Sequence, residues 1–465
     1  MSSVTLFDKL WDLHLIVDLG GGTGLIAIDR IMLHERTGGV ALKSIEEAGY
    51  AVRDPARVFV TMDHIVDTFP GRSDKTLMPS GTAFITETRA AAHRNGLTLF
   101  DLDDPRQGIV HIVSPEQGIV IPGATLVCPD SHTCSQGALG ALAWGIGSSE
   151  AEHALVTGTL RVKRPKQMRV TVDGRLGEGV TAKDLALHIV AQLGSAGAKG
   201  HVIEYAGSAI AALSIEERLT LCNMATELAA FTAIIAPDET TLAYVQGRPY
   251  APAGALWDAA VAHWRTLASD ADAVFDIEHR FDAADVTPMV SWGTNPEQSL
   301  PLGAAVVPDA ADDQSARARD YMGLAPGTAV AGLPIDVAFI GSCTNARLSD
   351  LRRAAAVLAG RRVAPGVKAI CVPGSMQVKA AAEAEGLDKV FRDAGFEWRE
   401  AGCSMCFFAG GESFGPQQRV VTSTNRNFES RQGPGTRSHL ASPETVAASA
   451  VLGRIASTSM LEPVA

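Results

Sequence analysis

Short apolar runs alternate with alanine-rich stretches along most of the chain. Short runs bounded by polar residues or glycine are typical of strands, and longer stretches with helical periodicity are typical of helices. Strands that alternate with helices predict an α/β protein with parallel or mixed sheets. The predicted strands are residues 58–62, 119–121, 125–128, 337–340 and 369–373. The predicted helices are residues 80–93, 182–193, 349–359 and 378–384.

The composition supports an α/β protein of several domains. The chain has 465 residues, with 45 glycines and only 6% aromatic residues, which fits tightly packed layers joined by many turns. Length alone predicts about three domains. We place them at residues 1–166, 167–286 and 287–465, with soft boundaries near Lys166 and Thr287.

Charge and cysteine usage narrow the functional class. The net charge of −12 argues against a nucleic-acid surface, which needs clustered Lys and Arg. The N-terminus lacks the basic and apolar regions of a signal peptide, and no apolar run reaches the roughly 18 residues of a membrane span. Seven cysteines are few for this length and odd in number, which indicates a reducing compartment. We therefore expect a cytoplasmic protein that binds neither nucleic acid nor membrane.

Three cysteines stand out by their spacing. Cys343 lies in Gly-Ser-Cys-Thr-Asn, and Cys403 and Cys406 form a Cys-x-x-Cys pair. Soft thiolates favour an iron–sulfur cluster, zinc or copper(I). A structural zinc site usually has four protein ligands, and we find no fourth Cys or His at ligand spacing. Buried structural thiols are the simpler alternative.

Several short sequence motifs follow one another in order along the chain. They include Thr61–His64, Gln107–His111, Asp130–Thr133, Leu221–Met224, Gly341–Asn345, the Cys403/Cys406 pair and Ser423–Arg431. Together they resemble the aconitase superfamily and, within it, the family of 3-isopropylmalate dehydratase large subunits. The resemblance runs from about Leu6 to about Leu452. It implies three α/β/α domains around a central cleft that holds an iron–sulfur cluster.

The resemblance implies a metal role for the three cysteines. Cys343, Cys403 and Cys406 would hold one 4Fe–4S cluster, in which one iron lacks a protein ligand. An open iron can act as a Lewis acid toward a substrate hydroxyl. The other four cysteines, Cys128, Cys134, Cys222 and Cys371, are expected to be packing residues.

The resemblance also implies an acid/base set. Its catalytic members are Asp63, His64, His111, Asp130, His132 and Glu227. The family pairs Asp63 with His64, Asp130 with His111, and Glu227 with His132. A carboxylate beside an imidazole fixes its tautomer and assists proton transfer. On a helix, Asn223 and Glu227 would share one face because they are four residues apart.

A further set is expected to bind the substrate. Carboxylate groups need fixed cationic donors, and Arg binds them through two parallel hydrogen bonds. The family match assigns substrate binding to His34, Thr37, Ser131, Asn223, Asn425, Arg426 and Arg431. A solvated basic turn is the alternative for residues 425–431.

One motif favours a different class of protein. Asp18–Gly24 resembles the phosphate loop of actin-like ATPases, whose backbone N–H groups cradle phosphate. The second phosphate loop and the adenosine motif of that class are not found. We therefore expect a surface turn here.

The expected activity is that of a hydro-lyase in leucine biosynthesis. It would isomerise 2-isopropylmalate to 3-isopropylmalate through 2-isopropylmaleate, by loss and re-addition of water. No segment after Arg431 supplies the fourth aconitase domain, so we expect a separate small subunit and a heterodimer. Departures at Asp67 and at Phe407–Phe414 leave citramalate, dimethylmalate or homoaconitate dehydratase as alternatives. A cluster-sensing regulatory binder is the alternative of another class.

Overall fold

A computed structural model describes residues 3–303, 306–309, 312–408 and 411–463. The strands are β1 (Leu15–Gly20), β2 (Thr23–Ala27), β3 (Arg30–His34), β4 (Val58–Thr61), β5 (Thr98–Phe100), β6 (Thr125–Cys128), β7 (Leu142–Gly145), β8 (Thr159–Lys163), β9 (Lys166–Asp173), β10 (His201–Ala206), β11 (Thr232–Ile235), β12 (Ile277–Asp282), β13 (Met289–Ser291), β14 (Ser299–Pro301), β15 (Val337–Ile340), β16 (Lys368–Cys371), β17 (Phe396–Trp398), β18 (Arg419–Thr422) and β19 (Arg437–Leu440). The helices are α1 (Leu6–His14), α2 (Gly38–Glu47), α3 (Gly81–Arg94), α4 (Val110–Gln117), α5 (Ser148–Thr157), α6 (Ala182–Leu193), α7 (Ser208–Ala212), α8 (Ile215–Asn223), α9 (Glu239–Val245), α10 (Ala255–Trp264), α11 (Asp313–Met322), α12 (Leu348–Leu358), α13 (Met376–Ala384), α14 (Leu387–Ala394) and α15 (Pro443–Leu452).

The chain forms two compact units. The first unit contains the chain up to Asp63, Ala83–Arg175 and Ala196–Ala283. The second unit contains His64–Thr82, Leu176–Ser195 and the chain from Ala284 onward. The division into three domains stays a prediction.

A five-stranded parallel sheet organises part of the first unit. Its strand order is β5-β4-β3-β6-β7, so the chain adds strands first on one side of β3 and then on the other. Strands β4 and β6 are buried along their whole length, as strands covered on both faces are. Side chains beyond the carboxyl ends of β3, β4 and β6 therefore lie at the reversal point, where α/β sheets bind ligands.

Two other sheets complete the first unit. Strands β11-β10-β9-β12 form a parallel sheet, and β1-β2-β8 form an antiparallel one. The glycine-rich motif connects β1 to β2 through Gly20, Gly21 and Gly22, which all have positive φ. Asp18 accepts a hydrogen bond from Gly20 N–H at 2.8 Å on the exposed side of this turn. The expected surface turn is confirmed.

The second unit contains another five-stranded parallel sheet. Its order is β17-β16-β15-β18-β19. As in the first parallel sheet, the chain adds strands on one side of its first strand, β15, and then on the other. Seven side chains form a buried core on this sheet: Val337, Phe339, Ile370, Val372, Met405, Phe414 and Val420. The segments after β15, β17 and β18 carry the cysteine and asparagine–arginine motifs, so this sheet positions them.

The predicted α/β class is confirmed, and most predicted elements are present within two residues at either end. The strand predicted at residues 119–121 is wrong. Gly118 ends α4 in the left-handed conformation, and the N–H groups of Ile119 and Val120 then turn back to the carbonyl of Ser114. The apolar run is therefore a buried loop after a helix. Within the described ranges, helices that are both long and apolar enough to cross a membrane are absent.

Candidate active site

The three cysteines lie beyond the carboxyl ends of two strands of the five-stranded sheet in the second unit. Cys343 follows β15, and Cys403 and Cys406 lie in the loop after β17. Their exposed fractions are 6%, 5% and 7%. All three are therefore buried thiols that the parallel sheet brings to one edge.

Two polar side chains lie close to both Cys343 and Cys406. The Oγ of Ser342 is 3.5 Å from the Sγ of Cys406 and 4.0 Å from the Sγ of Cys343. The Nδ2 of Asn425 is 3.5 Å from the Sγ of Cys343, and its Oδ1 is 3.9 Å from the Sγ of Cys406. The Sγ of Cys403 is 3.9 Å from the Nδ1 of His64. The thiols of Cys343 and Cys406 thus converge on one amide side chain.

The backbone around the cysteines has an unusual conformation. Ser342 has φ of 86° and Ser404 has φ of 47°, both in the left-handed region that side chains other than glycine rarely adopt. Such strain persists only where surrounding contacts fix it, and it is common at functional sites. Arg347, 2% exposed, supplies such contacts by donating to the carbonyls of Cys343 and Thr344 at 2.7 and 2.8 Å.

The Cys403–Cys406 loop is held from both sides. Met405 lies between the two cysteines in sequence and is fully buried in the core of the sheet. Thr68 donates a hydrogen bond to Ser404 Oγ at 2.9 Å, and Arg72 donates one to the carbonyl of Ala401 at 2.5 Å. These contacts anchor the loop that carries the two thiols.

The donor set suits a soft metal centre. All seven cysteines are free thiols, but only three of them share the polar surroundings described above. Cys222 and Cys371 differ, because burial raises their thiol pKa well above the ordinary value and keeps them protonated. Cys128 and Cys134 are also buried, and a packing role for the four remaining cysteines stays a prediction.

Two imidazole–carboxylate pairs form in the first unit. The Nε2 of His111 is 2.8 Å from Asp130 Oδ1, and the Nε2 of His132 is 3.0 Å from Glu227 Oε1. Asp130 Oδ1 also accepts the backbone N–H of His132 at 2.7 Å. Both predicted pairings are confirmed, and one carboxylate, that of Asp130, links the two histidines.

Polar side chains also lie beside the second ring nitrogen of each histidine. Gln136 Nε2 lies 3.4 Å from the Nδ1 of His111, and Ser131 Oγ lies 3.3 Å from the Nδ1 of His132. Asn223 donates to Ser135 Oγ at 2.9 Å. Residues 223–227 do not form one helix, because α8 ends at Asn223 and a 3₁₀ turn, Met224–Leu228, follows. The tighter turn still brings the carboxylate of Glu227 to His132.

The segments after β3 and β4 carry the next group. The Nε2 of His34, which is 2% exposed, lies 3.2 Å from the carbonyl of Pro129 and 3.3 Å from Thr37 Oγ1. Asp63 accepts Val110 N–H at 2.9 Å, and its own N–H donates to Glu35 at 2.9 Å. His34 and Thr37 lie on the predicted strand-to-helix segment. The pairing of Asp63 with His64 stays a prediction.

The asparagine–arginine segment lies beside the cysteines of the second unit. Asn425 is fully buried, so a solvated basic turn does not describe this part of the segment. The guanidinium of Arg431 lies 5.0 Å from the Phe407 ring and 5.1 Å from the Phe428 ring, and its Nη2 is 3.7 Å from Cys406 Sγ. Arg426, which precedes this turn, is half-buried. The two aromatic rings fix the plane of one predicted carboxylate-binding group.

Sequence reasoning missed several residues that position this machinery. They are Glu35, Thr68, Gln136, Lys183 and Arg347. The sequence does not distinguish a buried cation such as Lys183 or Arg347 from a surface one, since burial depends on distant segments. Only the position of Arg347, four residues after Cys343, could have indicated its contact with that loop.

Comparison with known proteins identifies the family of this chain. A profile of the aconitase family (aconitate hydratase) matches residues 8–453. The chain is 51% identical to the 3-isopropylmalate dehydratase large subunit 1 of Bradyrhizobium diazoefficiens, over 98% of this chain and 97% of that protein. Among solved structures, the holo form of Thermococcus kodakaraensis aconitase X matches 90% of this chain and 86% of its own at 15% identity, with a TM-score of 0.47. The family profile and the near-full-length relative, together with the site motifs, show that this chain belongs to the aconitase family.

Proposed function

We propose that this chain is the large subunit of a 3-isopropylmalate dehydratase, a hydro-lyase of leucine biosynthesis. It isomerises 2-isopropylmalate to 3-isopropylmalate through 2-isopropylmaleate. The observation that carries the proposal is the 51% identity to a protein of that name over nearly the whole of both chains. The imidazole–carboxylate pairs and the converging thiols supply the groups that such a reaction needs.

Cys343, Cys403 and Cys406 are proposed to hold a 4Fe–4S cluster that has one iron without a protein ligand. Such a metal centre supplies Lewis-acid chemistry, which makes hydroxide a better leaving group. The fit rests on the three buried thiols and their soft donor character. Asn425 and Ser342 would fix the thiol orientations through their contacts with Cys343 and Cys406.

The histidines are proposed to manage protons on the hydroxyl side of the substrate. Asp130 and Glu227 accept from the Nε2 atoms of His111 and His132, which fixes the orientation of each ring. An imidazole held in this way can give a proton to departing hydroxide and take it back on rehydration. His64, beside Cys403, is the third proposed proton carrier.

Substrate recognition is assigned to charged and polar groups near these histidines and thiols. Arg426 and Arg431 would bind carboxylates, since guanidinium matches a carboxylate with two parallel hydrogen bonds. Ser131 and Asn223 lie beside His132 and Ser135, and His34 and Thr37 lie after β3. These six residues, with Asn425, form the proposed substrate-binding set.

A separate small subunit is proposed as the partner. The relative from Bradyrhizobium diazoefficiens is named a large subunit, which supports a heterodimer. The partner would supply the base that removes the carbon-bound proton. Citramalate, dimethylmalate and homoaconitate share the 2-hydroxy-dicarboxylate core, so the same machinery suits those alternatives. A regulatory binder of nucleic acid is disfavoured by the net charge of −12.

The test is hydration activity after anaerobic iron–sulfide reconstitution with the small subunit. Absorbance of the enoate would be followed for 2-isopropylmaleate, citraconate, dimethylmaleate and homoaconitate. We expect the highest kcat/KM for 2-isopropylmaleate. Cys343→Ala should lose both iron and activity, whereas Cys371→Ala, a matched buried cysteine on the same sheet, should keep both. Preference for another acid would refute the substrate, and equal iron binding by both variants would refute the cluster site.

A further inference from the structure

Lys183 is a fully buried lysine in the second unit. It is the second residue of α6, after Thr181, which caps the helix, and its exposed fraction is 0%. Removing an ammonium group from water costs several kcal/mol unless strong hydrogen bonds replace the lost hydration. A surface lysine would avoid this cost, so the contacts of Lys183 identify what its burial achieves.

The Nζ of Lys183 donates to two consecutive backbone carbonyls. It lies 3.2 Å from the carbonyl oxygen of Ser423 and 2.5 Å from that of Thr424. These residues directly follow β18, and Asn425 comes next in the chain. A charged donor to a carbonyl makes a stronger bond than a neutral one. The lysine therefore fixes both peptide groups that precede Asn425.

Ser423 is also hydrogen-bonded to the Cys343 segment. Ser423 Oγ accepts Gly341 N–H at 3.1 Å and contacts the carbonyls of Gly341 and Asn345 at 3.1 and 3.2 Å. Asn425 then reaches Cys343 and Cys406 with its amide group. The segment immediately before Asn425 is therefore held twice. Lys183 binds its carbonyls, and the Cys343 loop binds Ser423.

We propose that Lys183 is a positioning residue that acts through Asn425, holding the Asn425 amide against the thiols of Cys343 and Cys406. The proposal rests on the proposed function for the role of these thiols. Without the ammonium group, the carbonyls of Ser423 and Thr424 lose donors in a buried environment and the peptide groups reorient. Asn425 then leaves the geometry in which it spans the two cysteines.

The first test measures the cluster-free chain, so it does not depend on the proposed activity. In Lys183→Met, amide hydrogens of residues 424–427 should exchange about tenfold faster, since local opening of this segment becomes easier. Lys183→Arg keeps charged donors and should stay near wild type. Lys379→Met is the control, because Lys379 is a partly buried lysine of the same unit whose Nζ bonds the carboxylates of Glu383 and Glu400. Unchanged exchange at 424–427 in Lys183→Met would overturn the proposal.

The second test uses the reconstituted holoenzyme and a double-mutant cycle. Lys183→Met should lower kcat about tenfold to a hundredfold, in line with small displacements of site groups, and should speed chelator-driven loss of the cluster about tenfold. In the Asn425→Ala background the same change should alter both rates less than twofold, because the residue through which it acts is gone. Effects that simply multiply would show a general structural role and would overturn the proposal.

A third variant covers the case in which Lys183→Met fails to fold. Lys183→Gln is neutral but retains an N–H donor for the carbonyls of Ser423 and Thr424, and it enters the same cycle. Its effects should fall between those of Arg and Met. If wild type bound a cluster and hydrated 2-isopropylmaleate while Lys183→Gln had equal effects in the wild-type and Asn425→Ala backgrounds, the positioning role alone would fail. If wild type bound no cluster, the proposed function would fail, and the exchange measurement would still decide the role of Lys183.

Discussion

Met405→Ala tests whether the core of the second unit sets the geometry of the cysteine pair. Met405 is fully buried and shares a core with Val337, Phe339 and Ile370, none of which is more than 1% exposed. Its carbonyl also accepts a hydrogen bond from Gln432 at 2.7 Å. The side chain is therefore the anchor of the loop that carries Cys403 and Cys406.

The expected cost of Met405→Ala follows from this burial. Truncating a fully buried methionine to alanine costs about 2–5 kcal/mol, through lost transfer free energy and the cavity left behind. Strands β15, β16 and β18 border the site and are hydrogen-bonded into one sheet, so they resist collapse into the cavity. We expect a value in the upper half of that range. Met405→Leu conserves volume and should cost less than about 1.5 kcal/mol.

Two measurements check this expectation. Chemical denaturation of the cluster-free chain gives the loss of stability, followed by probes in the second unit because the two units can unfold separately. Iron bound after reconstitution reports whether the thiols still converge. Met405→Ala should lose most of its iron-binding capacity, and Met405→Leu should keep it. If Met405→Ala changed stability by less than about 0.5 kcal/mol and bound iron like wild type, core anchoring of the loop would be wrong.

Three further predictions address the site and its surroundings. Glu227→Gln removes the carboxylate that orients His132, so kcat should fall about a hundredfold or more with little change in KM, measured by enoate absorbance. Phe407→Leu removes a ring that stacks on Arg431, so KM should rise about threefold to tenfold with a smaller change in kcat. His439 is buried beside Arg419. Burial and the neighbouring positive charge together lower the pKa of its imidazole from 6.5 to about 3. The unfolded chain therefore takes up a proton that the folded chain excludes, and stability should fall by about 2 kcal/mol between pH 7 and pH 5, measured by denaturation at each pH.

Two of these predictions have a control variant, and the third is checked by an opposing outcome. Glu278→Gln changes an exposed glutamate on β12 and should leave kcat unchanged. His439→Asn removes the titrating group. The loss of unfolding free energy between pH 7 and pH 5 should therefore be about 2 kcal/mol smaller in this variant than in wild type. His93→Asn, on the surface, should show the same loss as wild type. An equal pH dependence in both histidine variants would contradict the assignment to His439. A Phe407→Leu enzyme with unchanged KM would show that the ring does not orient Arg431.

Local sequence predicted the elements that depend on local interactions. The apolar run at residues 58–62 contains β4, and the alanine-rich run at residues 182–193 coincides with α6. In both cases a continuous run of residues favours the observed element by local propensity. The run at residues 119–121 misled the prediction because apolar residues that pack after a helix end have the same composition as a short strand.

The sequence also determined the chemical character of the site. Three cysteines, paired acidic and imidazole groups, and an asparagine–arginine segment indicated a soft metal centre and acid/base chemistry, because these functions depend on residue type. The resemblance to the aconitase superfamily supplied the pairing of Asp130 with His111 and of Glu227 with His132. Tertiary structure then provided the distances, 2.8 and 3.0 Å, that make those pairs hydrogen bonds.

Only the tertiary structure decided which residues contact the groups of the proposed site. The order of strands around β3 and β15 brings together segments that are far apart in the chain, and this order is not written in any single segment. The burial of Lys183 beneath the carbonyls of Ser423 and Thr424, some 240 residues away, is the clearest case. Residue type follows from local sequence, but burial and long-range hydrogen bonding follow from how the whole chain packs. For that reason the sequence determined what chemistry this protein carries, and the fold decided which side chains position it.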